Sequence, residues 1–149
     1  MSERPGSGVI VSVGYEGRSL DEFIELLGAA GVETLVDVRL NPVSRKPGFS
    51  KTRLSAALGS AGIGYRHEPL LGNPRSNRDG LRKGWPSATR RYRNRLGNGS
   101  ADAFRRTIAL ARQSRVALMC FEHLHAECHR AVIIDCGLEA DPELRVLKL

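Results

Sequence analysis

The sequence between residues 116 and 136 reads Val-Ala-Leu-Met-Cys-Phe-Glu-His-Leu-His-Ala-Glu-Cys-His-Arg-Ala-Val-Ile-Ile-Asp-Cys. Its first four residues form an apolar run that is typical of a buried strand, and Ala131 to Cys136 reads as a helix. The turn between them, residues 120–130, holds two thiols, three imidazoles, two carboxylates and a guanidinium. The packing of a hydrophobic core does not require this mixture of reactive groups. We therefore expect the functional site of the protein in the strand-to-helix turn.

The rest of the chain also alternates strands with helices. Strands are predicted at residues 9–13, 35–38, 63–67, 115–120 and 143–149. Ser19, with Glu22 three residues later, has the pattern of a capping box at a helix start, and Ser50 is a second candidate N-cap. Residues 70–87 are rich in Gly, Pro and Asn and are predicted to form a long loop.

This alternation predicts an α/β fold: a three-layer α/β/α sandwich around a mainly parallel five-stranded sheet, Rossmann-like, with strand order 3-2-1-4-5. The chain has 149 residues, of which 41% are hydrophobic and 26% charged, as expected for one domain. Residues 1–149 are therefore taken as a single domain, with residues 1–8 as a disordered tail.

Composition also bears on compartment and partners. Apolar runs are too short for a membrane helix, and the N-terminus has no signal-peptide core, so we expect a cytoplasmic protein with reduced thiols and no membrane partner. The net charge is +7, and most of the positively charged residues are arginines. An anionic small molecule or a nucleic acid is the expected partner, although genome base composition also produces arginine-rich chains. The oligomeric state does not follow from the sequence.

In an open α/β sheet, ligands bind at the carboxyl ends of the strands where the winding reverses. In the expected strand order, the turns after strands one, two and four meet there. The predicted anion-binding residues come from these turns and the loop and helix that follow: Tyr15, Glu16, Arg39, Arg45 and Arg130. Asp37, in a strand expected to be buried, is predicted to orient Arg39 or a backbone N–H.

Cys128 stands where the last helix should begin, and unpaired N–H groups at such a position favour a thiolate. Cys128 is therefore a candidate catalytic nucleophile, with Cys120 as a second thiol facing it and with Glu122 or His129 moving protons. The alternatives stay open: both cysteines are buried apolar residues, and Glu122 forms an ion pair with Arg130 or Arg39.

Cysteine and histidine are the usual ligands of zinc, and the turn holds several of both. The spacing of Cys120, His123, His125, Cys128 and His129 fits no familiar zinc pattern, so no metal and no cofactor is predicted. His123 and His125 are expected to be exposed, and Cys136 to lie in the core.

The segment from Arg75 to Arg106 supports a different class of function, a nucleic-acid-binding module. Its candidate contacts are Arg78, Arg82 and Lys83, with Trp85 and Tyr92 as stacking groups. A tryptophan in such a loop also commonly anchors the loop to the core. The two functions are compatible, since an enzyme acting on nucleic acid would use both surfaces.

Three motifs together resemble the family called "domain of unknown function 488". They are Gly14-Tyr15-Glu16-Gly17, the stretch from Val36 to Lys51 with Asp37, Arg39, Pro42, Ser44 and Phe49, and Cys120-x-Glu122-x5-Cys128-His129-Arg130. The resemblance runs from about Val9 to the C-terminus. It implies a small α/β protein with a site at these motifs, and no settled activity.

A weaker similarity is to rhodanese-like sulfurtransferases and the related cysteine phosphatases. They share a Val-Asp-Val-Arg strand and a cysteine placed between a strand and a helix. Their cradle is a short loop that starts with the cysteine and ends in arginine, whereas the segment from Cys120 to Arg130 is longer and has no glycine. Sulfur or phosphoryl transfer on Cys120 is therefore an alternative to the enzyme described above.

Overall fold

The computed structural model describes residues 7–149. Five strands form one sheet: β1 Val9–Gly14, β2 Thr34–Asp37, β3 Gly64–His67, β4 Arg115–Cys120 and β5 Arg145–Lys148. All four strand pairings are parallel. The predicted five-stranded parallel α/β fold is confirmed.

The strand order is β3-β2-β4-β1-β5, which differs from the expected order by an exchange of β1 and β4. β4 pairs with both β1 and β2, and β1 pairs with β4 and β5. Both strands are apolar and buried almost throughout. Burial on both faces does not distinguish one central strand from another, so the sequence could not rank them. The adjacency of β1 and β4, on which the site prediction depends, is present in both orders.

Across residues 7–149, six helices cover the sheet in two layers. α1 Leu20–Ala29 and α2 Lys51–Ser60 pack through Phe23 and Leu54 against one face. The other face carries α3 Arg75–Arg82, α4 Pro86–Gly97, α5 Ala101–Gln113 and α6 His129–Ala140, which contribute Leu81, Tyr92, Ile108 and Ile133 to a second core. The three-layer sandwich follows from these two apolar clusters on opposite faces of the sheet.

The starts of α1 and α2 were predicted from the serines that precede them, Ser19 and Ser50. The backbone N–H of Glu22 donates to Ser19 Oγ at 3.1 Å, which confirms the N-cap of α1. Ser50 is the residue before α2, but its hydroxyl bonds to the backbone of Ser44 instead of capping the helix. Ser50 thus stabilises the loop before α2 through two hydrogen bonds to the backbone of Ser44.

The expected long loop at residues 70–87 is wrong, because most of it is helical. A single 3₁₀ turn, Pro69–Leu71, leads to α3, and α4 begins at Pro86. α3 has little apolar periodicity, and its burial depends on contacts from other elements. Asn77 donates through Nδ2 to Asn73 Oδ1 and to the Ala88 carbonyl, at 3.1 and 3.0 Å. Tertiary hydrogen bonds of this kind are not visible in a local pattern.

The expected disordered tail falls mainly on residues 1–6, which lie outside the described part of the chain. Ser7 and Gly8 are described and lie in a turn. The Gly8 N–H donates to the Ala111 carbonyl at 2.7 Å, and the Gly8 carbonyl accepts from the Arg145 N–H at 2.8 Å. Within residues 7–149, each helix is too short or too polar to cross a bilayer.

Candidate functional site

A cavity of about 120 Å³ opens at the carboxyl ends of β2 and β4, between the turn after β1, the loop after β2 and α3. We call it the sulfur pocket. Three segments far apart in the sequence converge on it, as predicted. Six of the residues predicted for the enzyme site line it: Tyr15, Arg39, Cys120, Glu122, Cys128 and His129.

Two of the three cysteines form a pair in this pocket. Cys120 ends β4 and Cys128 precedes α6, and their Sγ atoms are in contact as a disulfide. Their Cα atoms are 7.6 Å apart, wider than the roughly 4.4–6.8 Å usual across a disulfide. The sequence analysis expected reduced thiols, with Cys120 facing Cys128; the structure joins these two, and Cys136, half-buried against the core, is the free thiol.

Cys128 occupies the N-cap position of α6, a helix of 12 residues. Its Sγ accepts a hydrogen bond from the backbone N–H of Arg130 at 3.5 Å. The helix dipole and this N–H favour negative charge on the sulfur once the pair is reduced, whereas burial of the side chain opposes it. The helix start that was predicted for Cys128 is therefore present.

His129 is buried and held by both ring nitrogens. Nε2 lies 2.8 Å from the Val38 carbonyl and must donate to it, so Nδ1 carries the lone pair in the neutral ring. Nδ1 lies 3.5 Å from Cys128 Sγ. Burial lowers the pKa of His129 to about 4, so the imidazole is neutral near pH 7. A neutral, fixed imidazole is suited to accept a hydrogen bond or to bind a metal, and is a poor carrier of positive charge.

Glu122 lies beside the sulfur pair. Its Oε2 is 3.1 Å from Cys120 Sγ, and its Oε1 accepts from Arg82 at 3.2 Å. The expected ion pair with Arg130 or Arg39 is wrong, since the carboxylate pairs with Arg82. One carboxylate oxygen thus faces the Cys120 sulfur, which is the position that a proton acceptor needs once that sulfur is reduced to a thiol.

Arg39 lines the pocket, but its guanidinium forms an ion pair with the carboxylate of Asp37. Its Nε and Nη2 donate to the two carboxylate oxygens at 2.8 and 2.7 Å, and Nη1 donates to Tyr15 and to the Phe49 carbonyl. Asp37 also accepts from the Arg39 backbone N–H and from the Tyr65 hydroxyl. The prediction that Asp37 orients Arg39 or a backbone N–H is confirmed, since Asp37 does both. Anion binding by Arg39 stays a prediction.

The other two predicted anion-binding arginines do not line the sulfur pocket. Arg130 is fully buried beneath the turn that follows β4, and its Nη2 donates to the Glu122 carbonyl at 2.5 Å. Its Nε and Nη1 are buried without a hydrogen-bond partner in the described structure, and burial lowers its pKa to about 10. Arg45 is exposed in the loop after β2.

The turn after β1 supports the segment that carries Glu122. Glu16 accepts through its carboxylate from the backbone N–H of His123 at 3.0 Å. The Tyr15 ring stacks on Phe49 and meets Phe121 edge-on. His123 is exposed as expected, and Tyr15 and Glu16 position the loop around it.

His125 differs from its expected exposure. Its Nδ1 lies 2.6 Å from Ser12 Oγ, and the side chain is half-buried. Burial, followed by the nearby charges of Lys148 and Arg130, lowers its pKa. This contact fastens the turn before α6 to strand β1.

Arg78 is a pocket residue that the sequence did not indicate. It stands on α3, its side chain lines the sulfur pocket, and its Nε donates to the Asn73 carbonyl at 3.4 Å. Sequence reasoning assigned Arg78 to nucleic-acid binding only. Its place in the pocket depends on α3, which the local pattern did not predict.

The predicted nucleic-acid contacts lie next to the pocket on α3 and the turn after it. Trp85 is 50% exposed, and the Lys83 ammonium lies 5.4 Å from its ring centre. Arg82 is exposed and bridges to Glu122. The stacking role predicted for Tyr92 is wrong, because Tyr92 is buried and its hydroxyl donates to the Leu71 carbonyl.

The pocket also contains a metal-capable group. Ligand atoms of Cys120, Cys128 and His129 all lie within 4.8 Å of one another, and all three residues are buried. These are two soft sulfur ligands and one imidazole, a set that suits zinc.

The family model described as "Domain of unknown function DUF488" matches residues 19–136. The matched range contains β2 and β4 and all of the pocket residues except Tyr15. No curated protein matches the chain, and no solved structure does.

Proposed function

This chain belongs to the DUF488 family, and we propose that it is an enzyme with the sulfur pocket as its active site. The substrate class is an anionic molecule, one that carries phosphate or is a nucleotide. One observation carries the proposal: two sulfurs, a carboxylate and a neutral imidazole face a single cavity. Such a set at a topological switch point fits a reactive site better than a structural one.

The thiolate of Cys128 is the reactive group. A thiolate, and not a thiol, is both the nucleophile and the metal ligand in cysteine chemistry. The start of α6 supplies the Arg130 N–H to this sulfur. Reduction of the Cys120–Cys128 bond is needed first, and it leaves Cys120 as the thiol that faces Glu122.

Glu122 is the proton carrier of the proposed site. Its Oε2 is within hydrogen-bond distance of Cys120 Sγ, and its side chain is 18% exposed, so protons can exchange with solvent. His129 is less suited to this task, because a pKa of about 4 leaves it uncharged under ordinary conditions.

Arg78 is the proposed contact for the substrate anion. It is the exposed cation of the pocket lining, whereas the Arg39 guanidinium is already paired with Asp37. A guanidinium at the mouth of a pocket can bind phosphate oxygens through two N–H groups. The net charge of +7 adds a general attraction for anions.

The pH dependence of alkylation tests the reactive thiolate. Reduced, metal-free protein with Cys136→Ser is treated with iodoacetamide over a pH series, and the modified cysteine is identified by mass spectrometry. We expect Cys128 to react with a midpoint well below the value of about 8.5 that free cysteine shows. An ordinary midpoint at Cys128 would contradict the proposal.

Substrate protection tests the anion site. Inorganic phosphate and a nucleoside monophosphate are added during alkylation, and the rate at Cys128 is measured. We expect slower alkylation, and at least a tenfold weaker effect of the anion in Arg78→Gln. Arg105→Gln is the matched control, because Arg105 is exposed on α5, away from the pocket. Equal protection in both variants would exclude Arg78 as the anion contact.

A nucleic-acid-binding module is the second candidate function, favoured by one specific observation. Trp85 is half exposed beside Lys83, and Arg82 of α3 and Arg90 of α4 are also exposed. An exposed aromatic ring among cations is the arrangement that stacks on single-stranded bases. Electrophoretic mobility shift over a salt series measures it, with Trp85→Ala and Lys83→Gln expected to weaken binding. A signal that does not change with salt, or no signal at low salt, would remove this candidate.

A further inference from the structure

We propose that the reduced sulfur pocket binds one Zn²⁺ ion through Cys120 Sγ, Cys128 Sγ and His129 Nδ1. The proposal rests on the proposed active site and deepens it: with zinc bound, the Cys128 thiolate is a metal ligand, and a zinc-bound water takes its place as the attacking group. It revises the sequence analysis, which predicted no metal because the residue spacing fits no familiar zinc pattern. The structure selects three of the five cysteines and histidines of the turn, Cys120, Cys128 and His129, and places their donor atoms within 4.8 Å of one another.

The distance between Cys128 and His129 matches two ligands of one zinc ion. Zinc–sulfur bonds of about 2.3 Å and zinc–nitrogen bonds of about 2.0–2.1 Å at a tetrahedral angle separate the two donors by about 3.6 Å. The observed separation of Sγ and Nδ1 is 3.5 Å. Both side chains are buried.

The imidazole of His129 is oriented as metal ligands are. A zinc-binding histidine usually donates its second ring N–H to a carbonyl or a carboxylate, which fixes the tautomer and the ring plane. His129 Nε2 donates in this way to the Val38 carbonyl at 2.8 Å. Nδ1 is therefore left with its lone pair directed toward the side of the ring where Cys128 lies.

The backbone separation of the two cysteines leaves room for a metal. Their Cα atoms are 7.6 Å apart, beyond the upper end of about 6.8 Å for disulfides. A metal ion between the reduced sulfurs takes up this additional distance. Oxidation and zinc binding exclude each other, because a disulfide removes both thiolates.

Three protein ligands leave a fourth zinc position, which is the composition of catalytic zinc sites. All three donors line the cavity, so this position faces the space where the substrate would bind. A water bound there would pass one proton to Glu122 and become hydroxide. The hydroxide oxygen would then bond to the electrophilic atom of the substrate, whose leaving group departs with the proton from Glu122. The net reaction is hydrolysis.

Metal binding is measured directly, without turnover. The reduced full-length chain is dialysed against Zn²⁺, and bound zinc is counted by mass spectrometry. We expect one zinc per chain, and Co²⁺ in its place should give a thiolate-to-cobalt charge-transfer band. Cys120→Ser, Cys128→Ser and His129→Gln should each weaken zinc affinity by at least a hundredfold. Cys136→Ser and His123→Gln are the matched controls and should leave it unchanged.

The outcomes separate this inference from the proposed function. Protein that stays free of zinc after reduction overturns the metal site and leaves the thiolate enzyme standing. Zinc binding that survives both Cys120→Ser and Cys128→Ser overturns it too. Circular dichroism checks that each variant is folded, and Glu122→Gln, which removes no ligand, should still bind one zinc. Protein oxidised with diamide should lose zinc, and retention of the metal there would contradict sulfur ligation.

Discussion

The carboxylate of Asp37 holds the guanidinium of Arg39 through two parallel hydrogen bonds of 2.8 and 2.7 Å inside the protein. Asp37 is fully buried, and Arg39 is 7% exposed. Because the two residues end β2 and begin the loop that leads toward the pocket, their pair joins the sheet to the wall of the site. The contribution of this ion pair can therefore be measured as a change in the free energy of unfolding.

Asp37→Asn should destabilise the fold strongly. The variant leaves a buried guanidinium without its counter-charge, and breaking a buried ion pair from one side costs about 3–5 kcal/mol. The free energy of unfolding in urea measures this loss. Asp102→Asn removes the carboxylate of an exposed pair with Arg105 and should leave the midpoint nearly unchanged. A similar, small effect of both variants would contradict the structural role of Asp37.

Gly14→Ala should displace the turn that carries Glu122. A Cβ at residue 14 would lie only 1.8 Å from the Glu122 carbonyl oxygen, which is backbone and cannot rotate away. We expect a loss of about 1–3 kcal/mol in unfolding free energy, as for other overpacked sites. Because Glu122 moves with the turn, alkylation at Cys120 should also change.

Gly28→Ala is the matched control for this change. Gly28 lies in α1, where nothing approaches an added Cβ within 4 Å. Alanine should stabilise that helix by about 0.5–1 kcal/mol. If Gly14→Ala were equally harmless, the close approach of the two turns would not exist in solution.

Ser19→Ala should remove the N-cap of α1. The Ser19 hydroxyl oxygen is the acceptor for the Glu22 N–H, and loss of such a cap costs about 1 kcal/mol. Thermal unfolding measures the loss. Ser19→Asp keeps an acceptor oxygen at this position and should restore most of the stability, and a failure to do so would argue against capping as the cause.

Alkaline pH should destabilise the protein through its buried tyrosines. Burial, aided by Asp37, raises the pKa of Tyr65, and burial raises the pKa of Tyr92 well above its usual value near 10. Between the unfolded and folded pKa values the native state binds more protons, so stability is complete below about pH 10 and falls as pH rises above it. Phenolate absorbance of these two tyrosines should therefore appear together with unfolding.

Tyr65→Phe tests this assignment. The variant loses the hydrogen bond to Asp37 at 2.6 Å, so its unfolding free energy near pH 7 should fall by about 1 kcal/mol. Its further loss of stability above pH 10 should be smaller than that of the parent chain. An unchanged slope against pH would show that Tyr65 does not contribute to the alkaline effect.

The sequence predicted the elements whose cause is local. The apolar run of β4, the serine before α1 and the helix start at Cys128 each follow from a few neighbouring residues. The convergence of Arg39 and Cys128 was also foreseen, because the carboxyl ends of adjacent parallel strands meet at one edge of a sheet.

What the sequence could not predict depends on contacts between distant residues. α3 is held by hydrogen bonds from Asn77 to Asn73 and Ala88, so its pattern looked like a loop and the place of Arg78 was missed. The Arg39 guanidinium is paired with Asp37, and the Arg130 side chain is buried under the turn after β4. Both arrangements depend on the tertiary fold. Cys120, Cys128 and His129 were among the residues whose sequence spacing fits no zinc pattern, and only the folded chain brings their donor atoms within 4.8 Å of one another.

The position of β1 between β4 and β5 has a consequence for how the chain reaches its native state. β1 is made early during translation, yet its sheet partners begin at Arg115 and Arg145, more than a hundred residues later. During synthesis, β1 therefore has neither of its neighbouring strands to pair with. Its apolar side chains stay unburied by the sheet until β4 and β5 have been made. Such a high contact order predicts slow folding, with docking of β1 as the late step.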